Sequence, residues 1–206
     1  MGDLLSQTNR FDEAEAAYRK AIELNPKWAG PWVSLGNLLQ DRMKRYEEAE
    51  VAYRSAIELD EVSPFHVANL ARLLARLARN DEASQLFRQS IKLAKDDDSN
   101  LLLQAHSWLG NSDLAMQALD ALAERASEGS GTAFQKLKEQ CFECHAIGIS
   151  AALVELIERS RFADFLQPFA LALRAARGEP EALLGVAVEV RGIAEEVLRS
   201  IRGGDD

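Results

Sequence analysis

One pattern of apolar and polar positions is written three times along this chain. Residues 10–24 return as residues 45–59 and, more loosely, as residues 79–93. In each copy a basic residue and an acidic pair precede a small residue, and an aromatic follows four positions later. The small residue stands at Ala14, Ala49 and Ala83, so the spacing is 35 and then 34 residues. A period of this size belongs to stacked supersecondary units, each unable to bury its apolar face alone. The pattern predicts an all-α solenoid.

The positions between these copies specify the unit. Trp32, Leu35, Gly36 and Leu39 precede Ala49 and Tyr53, and Pro26 closes the unit before them. This arrangement of aromatic, Leu-Gly pair, small residue, aromatic and proline resembles the tetratricopeptide repeat. The resemblance implies a right-handed superhelical solenoid of antiparallel helix pairs. Gly36 and Ala49 are small where two helices must approach, and Trp32, Tyr18 and Tyr53 are expected to fill the space between repeats. A weaker fourth copy places Leu102, Leu103, His106, Gly110, Ala115 and Leu119 in the same columns. Repeats are expected over about 1–28, 29–60, 61–94 and 95–126. The first lacks its opening turn, because Gly2 stands in the column of Gly36 and Met1 in that of Leu35. That start fits a chain trimmed from, or beginning within, a longer solenoid.

Beyond Arg125 the pattern loosens. Ser127–Gly131 reads as a polar, glycine-bearing loop. Residues 127–206 are expected to form a helical extension, in which Phe134, Leu137, Cys141, Cys144 and Gly148 make one apolar stripe. A degenerate repeat is expected over about 149–178, with Phe165 in place of the small marker residue and Pro168 inside a helix, where it would kink the helix. A final helix over about 187–202 carries Val190, Ile193, Ala194, Val197 and Ile201 on one side. Arg191, Glu195, Glu196, Arg199 and Arg202 lie on the other. It reads as a capping helix.

Composition and charge narrow the function by exclusion. The chain has 206 residues, 47% hydrophobic and 28% charged, with a net charge of −9. Sequence-independent nucleic-acid binding needs a basic face, which this balance does not supply. No window is apolar enough to span a membrane. The N-terminus lacks the basic leader and apolar core of a secretory signal, so a cytoplasmic location is expected.

Catalytic sets are missing: there is no phosphate-cradling Gly-x-x-x-x-Gly-Lys loop and no Gly-x-Ser-x-Gly turn. Acidic pairs such as Asp12-Glu13 and Glu47-Glu48 open helices, where carboxylates favour the positive end of the helix dipole. His66 and His106 stand without a partner nucleophile, and Asp96–Asp98 reads as a solvated connector. Cys141, Cys144 and His145 spell the string of a c-type haem attachment site, and the same three could begin a metal site. Haem would need an export signal and zinc about four ligands. At mid-helix in an apolar stripe, the thiols read better as small core residues. No enzyme activity, cofactor or metal is expected.

A binding surface remains. By resemblance to tetratricopeptide repeats, the first helix of each unit turns one stripe toward a concave groove. That stripe comprises Asn37, Gln40 and Asp41 in the second unit, with Val33 beside them. It continues with Phe65, Arg72 and Arg76 in the third, and Asn100, Gln104 and Trp108 in the fourth. Amides and guanidinium groups suit a peptide backbone and its carboxylates, while aromatics anchor it. A lysine- and asparagine-rich carboxylate clamp, as in some members of the family, is matched only at Asn37. The competing reading is that Arg72 and Arg76 only balance acids such as Asp41.

The favoured function is a non-enzymatic adaptor or scaffold that binds a peptide or partner protein, with neither nucleic acid nor membrane as a target. The alternative is the sensor or regulatory arm of a larger bacterial complex, an NTPase switch or a caspase-like protease effector in defence, whose active domain lies elsewhere. A haem or metal carrier is the remote third.

Overall fold

The computed structural model describes residues 2–95, 98–184 and 186–202. Met1 and the Asp96-Asp97 part of the acidic connector lie outside the described residues. Among those described, the chain is all-α, with twelve α-helices, one short 3-10 turn (Pro180–Leu183) and no strand. It divides into two compact units, residues 1–93 and 94–206.

The first unit holds α1 (Gly2–Gln7), α2 (Phe11–Leu24), α3 (Ala29–Asp41), α4 (Tyr46–Leu59), α5 (Pro64–Arg76) and α6 (Asn80–Leu93). They pack as three antiparallel pairs, α1 on α2, α3 on α4 and α5 on α6. The marker residues Ala14, Ala49 and Ala83 are fully buried, as close helix approach requires. The glycines serve the same end. A Cβ on Gly36 would lie 2.6 Å from Tyr53 Cε1, and one on Gly2 would strike the Tyr18 ring. Each tyrosine thus lies flat against a helix backbone that has no side chain in the way.

The turns between paired helices share one device. Asn9, Lys44 and Ala78 adopt φ of 58°, 56° and 58°, the left-handed conformation that ends a helix. The following amide closes the turn on the helix behind it: Arg10 N–H bonds Leu5 O and Arg79 N–H bonds Leu74 O, each five residues back. Arg45 N–H reaches six residues back, to Leu39 O at 2.9 Å. The extra residue in the α3–α4 turn accounts for the step of 35 residues between the first two copies, where the next is 34.

Arginines placed just before α2, α4 and α6 tie the pairs together. Arg10, Arg45 and Arg79 each grip the glutamate three residues on, Glu13, Glu48 and Glu82. Two of them also reach the preceding copy: Arg45 Nη1 lies 2.7 Å from Glu15 and Arg79 Nη1 2.6 Å from Glu50. The acidic residues opening these helices therefore do more than favour the helix dipole.

The second unit holds α7 (Ser99–Trp108), α8 (Ser112–Ser127), α9 (Gly131–Ala146), α10 (Ser150–Arg159), α11 (Ala163–Ala176) and α12 (Val188–Ile201). One apolar core runs from Leu103 in α7 to Ile201 in α12. Within it the Phe134 and Phe169 rings meet edge to face, 5.3 Å between centroids. Helix α12 packs on α9 and α11 and closes this core. Helix α11 continues through Pro168.

Expectations about single residues are corrected at three places. Tyr18 and Tyr53 pack on Gly2 and Gly36 within a helix pair rather than between repeats, and Trp32 is half-buried. Gly148 is exposed at φ 80°, ending α9, and Ile147 takes its place in the stripe. In α12 Ile193 is exposed and Leu198 is buried instead, so the inward face is turned by part of a helical step from the one expected.

Candidate partner-binding surface

Within the first unit, α1 and α3 frame an open cleft of about 160 Å³ lined by Asp3, Ser6, Tyr18, Ser34, Asn37, Leu38, Asp41 and Arg42. Two tyrosines of the paired helices fix its polar groups. The Tyr53 hydroxyl donates to Asn37 Oδ1 at 2.7 Å. The Tyr18 hydroxyl donates to Asp3 Oδ1 at the same distance. Asp3 stands 34 residues before Asn37, in the same column of the repeat. Burial and the Asp3 carboxylate both push the Tyr18 phenol well above its ordinary range, so it stays a donor throughout the physiological range.

Of the groove residues expected from sequence, Asn37 and Asp41 line this cleft. Gln40 is fully buried; its Nε2 donates to Asp41 Oδ1 at 2.8 Å. Arg76, 13% exposed, donates from Nη1 to the same oxygen at 2.9 Å. Asp41 is therefore held by two donors from behind, and Arg76 serves first to hold it. Arg72 Nη2 donates to Asn69 Oδ1 at 2.9 Å, and Phe65 is exposed. In the second unit Gln104 is buried, while Asn100 and Trp108 are half-buried. Val33 is half-buried on α3. The sequence reading missed Asp3, Ser6, Ser34 and Arg42. Asp3 was open to discovery, since it occupies the column of Asn37; Arg42 was not, because it sits in the turn lengthened by one residue. Arg42 lies over the Phe11 ring at 5.8 Å.

The cysteine motif offers no comparable site. Cys141 and Cys144 are buried, and burial first of all pushes both thiols up, Cys144 to about 12. A thiolate, the form that binds metal or attacks, is thereby disfavoured. His145 Nδ1 lies 3.1 Å from Ser150 Oγ, and burial followed by the Arg202 charge lowers its pKa. Among the described residues no three histidine, cysteine or acidic side chains gather as metal ligands would. His106 sits with Nδ1 3.3 Å from the Asn111 amide, and burial lowers its pKa too. No described helix is long and apolar enough to cross a membrane.

Tetratricopeptide-repeat family models match residues 1–27, 29–63 and 67–101. The chain is a tetratricopeptide-repeat protein. The fold agrees. PilW, a type IV pilus biogenesis factor, is 17% identical with a TM-score of 0.53, over 100% of this chain and 92% of that one. A tetratricopeptide repeat protein from Parabacteroides merdae is 16% identical with a TM-score of 0.51, over 98% and 81% of the two chains. YrrB, a tetratricopeptide-repeat protein with an unusual peptide-binding site, is 20% identical with a TM-score of 0.43, over 88% and 92%. No curated protein sequence matches significantly. Repeats of this family build protein-interaction scaffolds, and this tetratricopeptide-repeat protein belongs with them in that general sense.

Proposed function

We propose that this protein is a non-enzymatic adaptor that binds an extended peptide segment of a partner protein across the first-helix face of its repeats. The observation that carries the reading is the cleft at Asp3, Ser34, Asn37 and Asp41. It is open, polar, and lined by groups whose rear hydrogen bonds are already made, so they are preorganised for a ligand. The Asn37 amide nitrogen supplies a donor for a peptide carbonyl, and the second oxygens of Asp3 and Asp41 supply acceptors for peptide N–H groups or a basic side chain. Phe65, exposed on α5, adds an apolar anchor. Arg72 contributes from the same helix; in the second unit, taken by itself, Asn100 and Trp108 are the corresponding half-buried side chains, while Gln104 is buried. Gln40 and Arg76 act behind the surface, by holding Asp41.

The test is capture of partners from a native lysate by the wild type, by an Asn37→Ala/Phe65→Ser variant, and by Val51→Ser, an exposed site on α4. The expected result is a partner kept by wild type and Val51→Ser and lost by the double variant at unchanged helicity. Equal retention by all three overturns the reading.

A further inference from the structure

The two loops that join one helix pair to the next share a backbone path, and each exposes large apolar side chains. Asn25 ends α2 at φ −141°, ψ 83°, and Asp60 ends α4 at φ −146°, ψ 81°. In each, the amide three residues on returns to the carbonyl of that residue, Trp28 N–H to Asn25 O and Ser63 N–H to Asp60 O. At these two corners large apolar side chains stand in water: Leu24 is 75% exposed, Trp28 57%, Leu59 39% and Val62 74%. Trp28 is held in place, since its indole nitrogen would lie 2.8 Å from a Cβ on Gly30 and so covers that bare backbone. Single exposed apolar residues are ordinary, but here Leu24 and Leu59 repeat at equivalent positions, and Trp28 and Val62, at adjacent rather than equivalent loop positions, extend them into a row.

Charge tells what the row fits. Beside it stand Glu58, Asp60 and Glu61, for which the described residues provide no ion pair, and Glu23, which meets only the exposed Lys20. By contrast, Glu13, Glu15, Glu48, Glu50 and Glu82 of the same unit are all gripped by arginines. Lys27 is the one other cation in the two loops.

We infer that the α2–α3 and α4–α5 corners form a second docking surface, separate from the cleft, for a basic amphipathic helix of a partner protein. The corners belong to successive copies, in which Arg45 just before α4 reaches Glu15 of α2 at 2.7 Å, so α2 and α4 lie side by side. Side chains seven residues apart on a helix are about 10 Å apart along its axis. One apolar stripe can therefore seat a side chain at each corner, while lysines or arginines flanking the stripe meet Glu58, Asp60 and Glu61.

The test uses fluorescein-labelled 18-residue model peptides, one a Leu/Lys amphipathic helix and one its Leu/Glu counterpart, titrated with the full chain. Fluorescence anisotropy is read for wild type, Trp28→Ser/Val62→Ser, Glu58→Gln/Glu61→Gln and the control Val51→Ser/Leu114→Ser. The expected result is saturable binding of the Leu/Lys peptide alone. Affinity should fall at least tenfold in the apolar corner variant, should weaken severalfold with steeper loss in salt-free buffer for the charge variant, and should be unchanged in the control. Circular dichroism verifies that each variant is folded. Binding of neither peptide, equal binding of both, or equal loss in the control overturns the proposal.

Discussion

A single methyl group decides whether the helix pairs can close. Gly36→Ala would place its new carbon 2.6 Å from the buried Tyr53 ring, which has nowhere to retreat. The expected cost is about 1–3 kcal/mol, the range for overpacking a dense core, read by urea denaturation. A loss under about 0.5 kcal/mol would mean the pair is loosely packed. Tyr53→Phe keeps the ring but removes the donor to Asn37, and about 1 kcal/mol is expected to go with it. The small and aromatic columns were legible from the repeat itself. The bond from Tyr53 to Asn37 was not, because it depends on which way a hydroxyl sixteen residues away is aimed. The cysteines carry a third expectation. With both thiols buried and raised, Cys144 to about 12, neither should react with iodoacetamide at pH 8 in the native protein. Both should react in urea. Rapid native labelling of either would contradict the packing of α9.

Whole elements are set by their ends. Ala78 holds the left-handed conformation that glycine adopts at less cost, and its N–H still closes on Ala75 O. Ala78→Gly is expected to stabilise the protein by about 0.5–1 kcal/mol, the left-handed penalty of about 1–2 kcal/mol less the entropy that glycine adds to the unfolded chain. A destabilised variant would contradict that turn. The arginines before α4 and α6 link successive copies. For Glu15 and Glu50 burial pushes the carboxyl up, but hydrogen bonds from Arg19 and Arg45, and from Arg54 and Arg79, outweigh it and hold each below its ordinary 4.5. Because the folded values are depressed, this stability is present above 4.5 and is lost as pH falls through the folded values below it. Urea midpoints of wild type and Glu15→Gln/Glu50→Gln should converge as pH falls below 4.5; a constant gap would contradict the linkage. Sequence placed the helices well. It could not show these ion pairs between copies, or that the longer first step lay in the α3–α4 turn, since spacing alone does not say where an extra residue goes.

At the scale of the molecule, each unit has a core of its own. In the second unit that core draws on α8, through Leu119, Leu122 and Ala123, together with α9 to α12. A fragment beginning at Ala94 should fold cooperatively, whereas one beginning at Glu128 would expose those partners of α9 and stay loosely packed. Equal cooperativity of the two in chemical denaturation would contradict this division. The repeat character of residues 1–93 was plain in the sequence, as was a final helix near Val188–Ile201. The faces of α9 and α12 were less so, because a stripe of apolar residues fixes a helix but not the neighbour that sets its rotation. The central claim is that a partner lies on the first-helix face, and photo-crosslinking tests it most directly. Benzoylphenylalanine placed at Val33, half-buried on α3 beside Asn37, should give a covalent adduct with the captured partner, while the same group at Val51 on α4 should not. An adduct from Val51 with none from Val33 would contradict the account.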